Sequence, residues 1–105
     1  MIYHTMLVQF TDEIPGAELD QFLGDIEKTT DATGALQSFA AQRHIPVPGE
    51  EEIPALIATV VVQLGVADLA AFGTLFADPA VGAVFDTWRA RHPFNVAWVN
   101  HEPLA

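Results

Sequence analysis

The sequence predicts an α+β domain of the ferredoxin-like type, a βαββαβ chain whose four strands form one antiparallel sheet with the helices on one face. Three observations carry that expectation. The hydrophobic period alternates between two and 3.6 in the order β-α-β-β-α-(α)-β, the pattern fits into 105 residues, and the strongest strand is apolar at both parities. The length is that of a single domain, residues 1–105, long enough to bury roughly 60–70% of the surface its unfolded form exposes.

Residues 2–10 (IYHTMLVQF) combine β-branched, aromatic and apolar residues over one strand length, and Asp12, Glu13, Pro15 and Gly16 end that strand. From Ala17 the apolar positions become Leu19, Phe22, Leu23 and Ile26, an amphipathic helical stripe with Asp20, Asp25, Glu27 and Lys28 turned to water. That helix fades near Thr29 and Thr30, with Gly34 at the turn. Residues 36–46 (LQSFAAQRHIP) form a weaker second strand, followed by a loop in which Glu50, Glu51 and Glu52 make a solvated face.

Residues 55–64 (ALIATVVVQL) form the strongest strand. Leu56, Ala58, Val60, Val62 and Leu64 share one face, and Ile57 and Val61 with Thr59 and Gln63 share the other, so both faces require cover. Asp68 opens a helical stripe of Leu69, Phe72 and Phe76. Asp78 and Pro79 then supply an N-cap and a proline at the first helical position, and Val81, Val84, Phe85 and Trp88 make the next inner face. Arg89, Arg91 and His92 suit a helix C-terminus, and Pro93 stops that helix. Residues 94–102 (FNVAWVNHE) are the last strand.

With the helices on one face, the other face carries Tyr3 and Leu7 from the first strand and Ile57 and Val61 from the third. Such a patch asks for a partner, and a second copy stacked sheet to sheet is the economical solution. Fourteen acidic residues against four Lys and Arg give a net charge of −10, which disfavours nucleic acid and anionic membranes as partners. No apolar run reaches the roughly 20 residues that span a bilayer. The opening Met1-Ile2-Tyr3-His4 lacks the basic and apolar segments of a signal peptide, so a cytoplasmic protein is expected. There is no cysteine, which excludes disulfides, thiolate metal sites and cysteine nucleophiles.

His4 shares parity with Met6, Val8 and Phe10, the face that packs against the helices. An imidazole in an apolar face needs a partner or a cavity. It is either a general base, neutral near pH 7, or a core histidine bonded to backbone. Asn100 has the parity of Phe94, Val96 and Trp98, which lets it approach His4 from a neighbouring strand and orient its tautomer. Phe72, Phe76, Phe85, Trp88 and Trp98 are spaced as core residues and would also line a pocket if the later helices stood off the sheet, a gap at which Gly73 and Gly82 hint. The expected lining adds Met6, Val8, Val60, Val81 and Val96 to these five. His92 reads as a helix-end cation, His101 faces away from Asn100, and His44 ends a strand. No His or carboxylate spacing suits a metal, and no phosphate loop, GxSxG elbow or dinucleotide fingerprint occurs, so no cofactor is expected.

His4 with the following TMLVQFTDEIP resembles the opening of the stress-responsive dimeric α/β-barrel (Dabb) family, and Phe76-Ala77-Asp78-Pro79-Ala80-Val81 is similar to that family's His-Pro-Ala-His segment. Element order and length agree over essentially the whole chain. The resemblance implies a dimeric α+β barrel and, among other members without assigned activity, cofactor-independent cyclases of linear polyketide-like substrates. Asp78 and Val81 stand where the cyclase branch has histidines, Leu75 stands near its tyrosine, and Asn100 stands where the family often has an aspartate. The function implied is a cofactor-free enzyme binding a small, apolar, oxygenated molecule, with aldol or Claisen-type ring closure and His4 as base. The alternatives are a non-catalytic, stress-associated dimeric binding protein and a cofactor-independent monooxygenase, for which Trp98 and Asn100 are suggestive.

Overall fold

The computed structural model describes residues 1–105. Its elements run β1 (Ile2–Phe10), α1 (Gly16–Asp31), β2 (Leu36–Arg43), a 3-10 turn (Glu50–Glu52), β3 (Val60–Val66), α2 (Leu69–Ala77), α3 (Pro79–Arg91) and β4 (Phe94–His101). The strands form one four-stranded sheet in the order β2-β3-β1-β4, with every neighbouring pair antiparallel. This is the ferredoxin-like arrangement expected. β1 sits inside the sheet, so His4 is flanked by Leu64 on β3 and by Asn100 on β4.

One core fills the space between sheet and helices. Met6, Val8 and Phe10 of β1 and Val60, Val62, Leu64 and Val66 of β3 are buried against Leu19, Phe22 and Ile26 of α1 and Leu75 of α2. The α1 stripe is the one its periodicity predicts, extended by Thr30, whose hydroxyl donates to the Ile26 carbonyl at 2.7 Å. Asp78 ends α2 and caps α3, its carboxylate accepting from the Ala80 amide at 2.9 Å, with Pro79 at the first helical position. The two helices meet at a bend of 58°. No single helix is long and apolar enough to cross a membrane.

Four expectations need correction. The segment 55–64 does not begin as strand at residue 55; β3 starts at Val60 and runs two residues further, to Val66. Thr59 marks the departure from the sheet. Its amide donates to the Val8 carbonyl at 2.7 Å, its carbonyl accepts from the His44 amide at 2.9 Å, and its hydroxyl accepts from the Phe10 amide at 3.0 Å. These bonds close the ladder, and Leu56 lies 86% exposed beyond it. The same closure ends β2 at Arg43 rather than at residue 46.

In α2, Leu75 is the buried residue, while Leu69 is 76% exposed. The helix is apolar around nearly all of its circumference (LAAFGTLFA), so its period does not fix which side faces inward. The acidic triplet also differs from a purely solvated face. Glu50 turns back to accept from His44 Nε2 at 2.7 Å and from the Val47 amide at 3.0 Å. Both bonds favour the carboxylate and hold it below its usual range.

Candidate functional site

β4 is an edge strand that the helices cover incompletely, and beside it the α2–α3 pair stands off the sheet over β1 and β4. A cavity of about 300 Å³ lies there. Its floor is His4 and Met6 from β1 with Val96 and Trp98 from β4, alternate residues that the pleat turns to one face. Phe72 and Phe76 from α2 and Phe85 and Arg89 from α3 complete its walls.

Two hollows have greater volume. One of about 420 Å³, between α1 and β2, is lined by Glu27, Lys28, Asp31 and Gln37 among eight residues of which two are hydrophobic. The other, about 320 Å³, has six hydrophobic residues among nine, with Gln42, Arg43 and His44, and lies where the chain leaves the sheet rather than under the helices. Ligand pockets are typically apolar with a few convergent polar groups, and the cavity at His4 fits that description best.

His4 is buried among rings. Its centroid lies 4.9 Å from Phe76, 5.2 Å from Trp98 and 5.5 Å from Phe72. Its Nδ1 is 2.7 Å from Asn100 Oδ1. A carboxamide oxygen only accepts, so Nδ1 carries the proton and Nε2 keeps a lone pair. Nε2 has no hydrogen bond within the chain, and no fully buried side-chain nitrogen or oxygen lacks a partner, so Nε2 retains access to the cavity. Burial pushes the imidazole below its ordinary pKa, and the Asn100 bond partly opposes that shift. His4 is therefore neutral at pH 7, with its free nitrogen basic and its tautomer fixed.

The structure gathers seven of the predicted residues around the cavity: His4, Met6, Phe72, Phe76, Phe85, Val96 and Trp98. Asn100 stands behind His4. Val8, Val60, Val81 and Trp88 are not in the wall; they are buried in the core. Trp88 donates Nε1–H to Asp25 at 3.0 Å and packs edge-on to Phe22, so it joins α3 to α1. Gly73 and Gly82 do not open the cavity either, because both are exposed and a side chain at each would meet nothing. Bending of the helix pair and the uncovered edge strand make the gap instead.

Arg89 is the lining residue that sequence reasoning placed only at a helix end. Its spacing of four from Phe85 puts the two on one helical face. Leu75, near the position of the cyclase-type tyrosine, is fully buried, and Tyr3 lies on the other sheet face, stacked on His101. His101 Nε2 meets the Thr5 hydroxyl at 2.6 Å on that same face. His92 and Arg91 both engage Glu18, which ties the end of α3 to the start of α1 and holds the Glu18 carboxyl below its usual range, chiefly through the His92 bond. No three His, Asp or Glu side chains are grouped to hold a metal ion.

Fold and cavity together define a ferredoxin-like protein with a single buried histidine facing an apolar pocket. No family model matches the chain, and no curated protein matches it in sequence. Solved structures match it over nearly its whole length. A Dabb family protein with a ferredoxin-like fold from Mesorhizobium loti shares 23% identity at a TM-score of 0.72, with 99% of this chain and 97% of that chain covered. A hydroxynitrile lyase from Passiflora edulis has a TM-score of 0.77 at 11% identity, covering 99% and 94%. A dimeric ferredoxin-like protein of unknown function from Thermobifida fusca has a TM-score of 0.72 at 16% identity, covering 97% and 90%. The chain thus has the fold of a Dabb protein, in agreement with the resemblance of its opening strand.

Proposed function

We propose that this protein is a homodimeric, Dabb-type enzyme that uses His4 as a general base on a small apolar carbonyl compound, in cofactor-independent carbon–carbon bond formation or cleavage. The observation that carries this reading is the His4 imidazole, locked by Asn100 with Nε2 open to an apolar cavity. In an aldol closure Nε2 takes a proton from the carbon next to a carbonyl. The resulting enolate carbon bonds to a second carbonyl carbon, whose π pair moves to oxygen. The imidazolium returns the proton to that alkoxide. One histidine performs both transfers, so the histidine and tyrosine positions replaced by Asp78, Val81 and Leu75 are not needed for proton balance. The reverse sequence is a lyase reaction, and a lyase on the same fold supports that class.

The test is solvent deuterium exchange at the α-carbon of an aryl alkyl ketone, propiophenone, followed by NMR. The expected result is catalysed exchange with a rate that rises with pH through an acid limb below about 6.5 and is flat at neutral pH, since burial lowers the His4 pKa and only the neutral ring is a base. Stability follows the same sign. The folded chain binds the His4 proton less readily than the unfolded chain, so this contribution is complete above the unfolded value and is lost as pH falls toward the folded one. Binding without exchange at any pH would leave a non-catalytic binding protein, and exchange replaced by oxygen consumption would leave the monooxygenase.

Dimerisation belongs to the same reading. Leu7, Val61 and Val99 are exposed on the helix-free face, flanking Ala97. Stacking two such faces would bury an interface of the usual size, roughly 1,200–2,000 Å². Light scattering on a gel-filtration peak at micromolar concentration should give about twice 11.4 kDa. A monodisperse 11.4 kDa species would remove the dimer.

A further inference from the structure

We propose that the pocket selects an acid: an apolar aryl or alkyl ketone whose carboxylate is taken by Arg89, with the reacting carbon at His4. This rests on the reading of the cavity as a ligand site. The first ground is charge. The chain holds 14 carboxylates and four Lys and Arg, yet no carboxylate lines the cavity and Arg89 is its one permanently charged wall residue. In a chain of net charge −10, an anionic ligand needs a cation at the point of contact to offset repulsion from the whole.

The second ground is what Arg89 does not do. Arg43 bonds Asp20 and the Gly16 carbonyl, and Arg91 bonds Glu18. Arg89 makes no hydrogen bond within the chain; its nearest carboxylate is Asp86, one helical turn back at 3.7 Å and itself 81% exposed. Water and salt screen such a pair. The guanidinium carbon instead sits 4.5 Å from the centroid of the Phe94 ring. Stacking uses the guanidinium's face and leaves its in-plane N–H donors for a planar acceptor, the geometry in which arginine takes a carboxylate.

The third ground is spacing. Phe94, Val96, Trp98 and Asn100 alternate along one face of β4. Arg89 stacks at the Phe94 end and His4 is bonded at the Asn100 end, so Val96 and Trp98 form an apolar floor between cation and base. A ligand matching this has an apolar spacer between its carboxylate and its reacting carbonyl.

The probe pair is 4-benzoylbutyrate and its primary amide, which differ only in charge at one end, titrated calorimetrically into the full-length protein and into Arg89→Gln. The acid should bind the native protein at least about tenfold more tightly than the amide, the scale of one charge-assisted hydrogen bond. Arg89→Gln should bring the acid down to the amide's affinity while moving the amide by no more than about twofold, because a half-exposed side chain without internal bonds contributes little to folding. Equal affinities for acid and amide in the native protein, or a preference that survives Arg89→Gln, overturns the inference and leaves the pocket standing. Failure of both probes to bind overturns the pocket reading and the inference with it.

Discussion

His4→Ala is expected to slow α-proton exchange by a factor on the order of 10²–10⁴ while leaving a folded protein. The size follows from His4 being the only imidazole or carboxylate on the cavity wall. Removing it leaves Arg89, which does not deprotonate, and no other group of suitable basicity. The fold should tolerate the change. The orphaned partner is Asn100 Oδ1 on an exposed edge strand, where water replaces the lost bond. His4→Gln is the matching control, since it keeps a donor for Asn100 but offers no base, and it should be as inactive as alanine. Asn100 acts through His4, so Asn100→Ala should cost less rate and move the acid limb to lower pH, because the bond it removes raises the imidazole pKa. Exchange retained in a folded His4→Ala protein would exclude the residue from the chemistry.

The fold was legible because its signals are strong and local. The α1 stripe of Leu19, Phe22 and Ile26, the Asp78–Pro79 start of α3 and the Pro93 stop each have a single reading, and each lies where the period or the cap puts it. The pairing of His4 with Asn100 was legible too, since strand parity and sheet order bring them opposite one another. What remained hidden depends on tertiary closure. Residues 55–59 have strand composition, but β1 offers no further partner once Thr59 has bonded Val8 and Phe10. The phase of α2 was undetermined because its sequence has almost no polar side. Arg89 was hidden because a helix-end arginine and a pocket arginine look alike until Phe94 is seen beneath it.

The two tryptophans carry the last of these distinctions, and substituting them should separate core from pocket. Trp88 is 2% exposed, hydrogen-bonded to Asp25, edge-on to Phe22 and covered by the Arg91 guanidinium at 4.9 Å. Trp88→Ala removes a large buried ring and leaves a cavity between α1 and α3, a loss of about 3–5 kcal/mol. Against a total stability of roughly 5–15 kcal/mol, this should lower the melting temperature by on the order of 15–30 °C. Trp98 is 60% exposed and lies beside His4 on the cavity floor, with no hydrogen bond to lose. Trp98→Ala should change stability by less than about 1 kcal/mol, yet it removes the largest apolar side chain of the floor and should weaken binding of 4-benzoylbutyrate. Fluorescence gives an independent readout with milder changes. In Trp88→Phe the remaining Trp98 emission should be quenched by the aryl ketone, and in Trp98→Phe the remaining Trp88 emission should not respond, since Asp25, Phe22 and Arg91 hold it away from the cavity. Quenching confined to Trp88, or a collapse of stability in Trp98→Ala with none in Trp88→Ala, would move the binding site under α3 and out of the space beside β4.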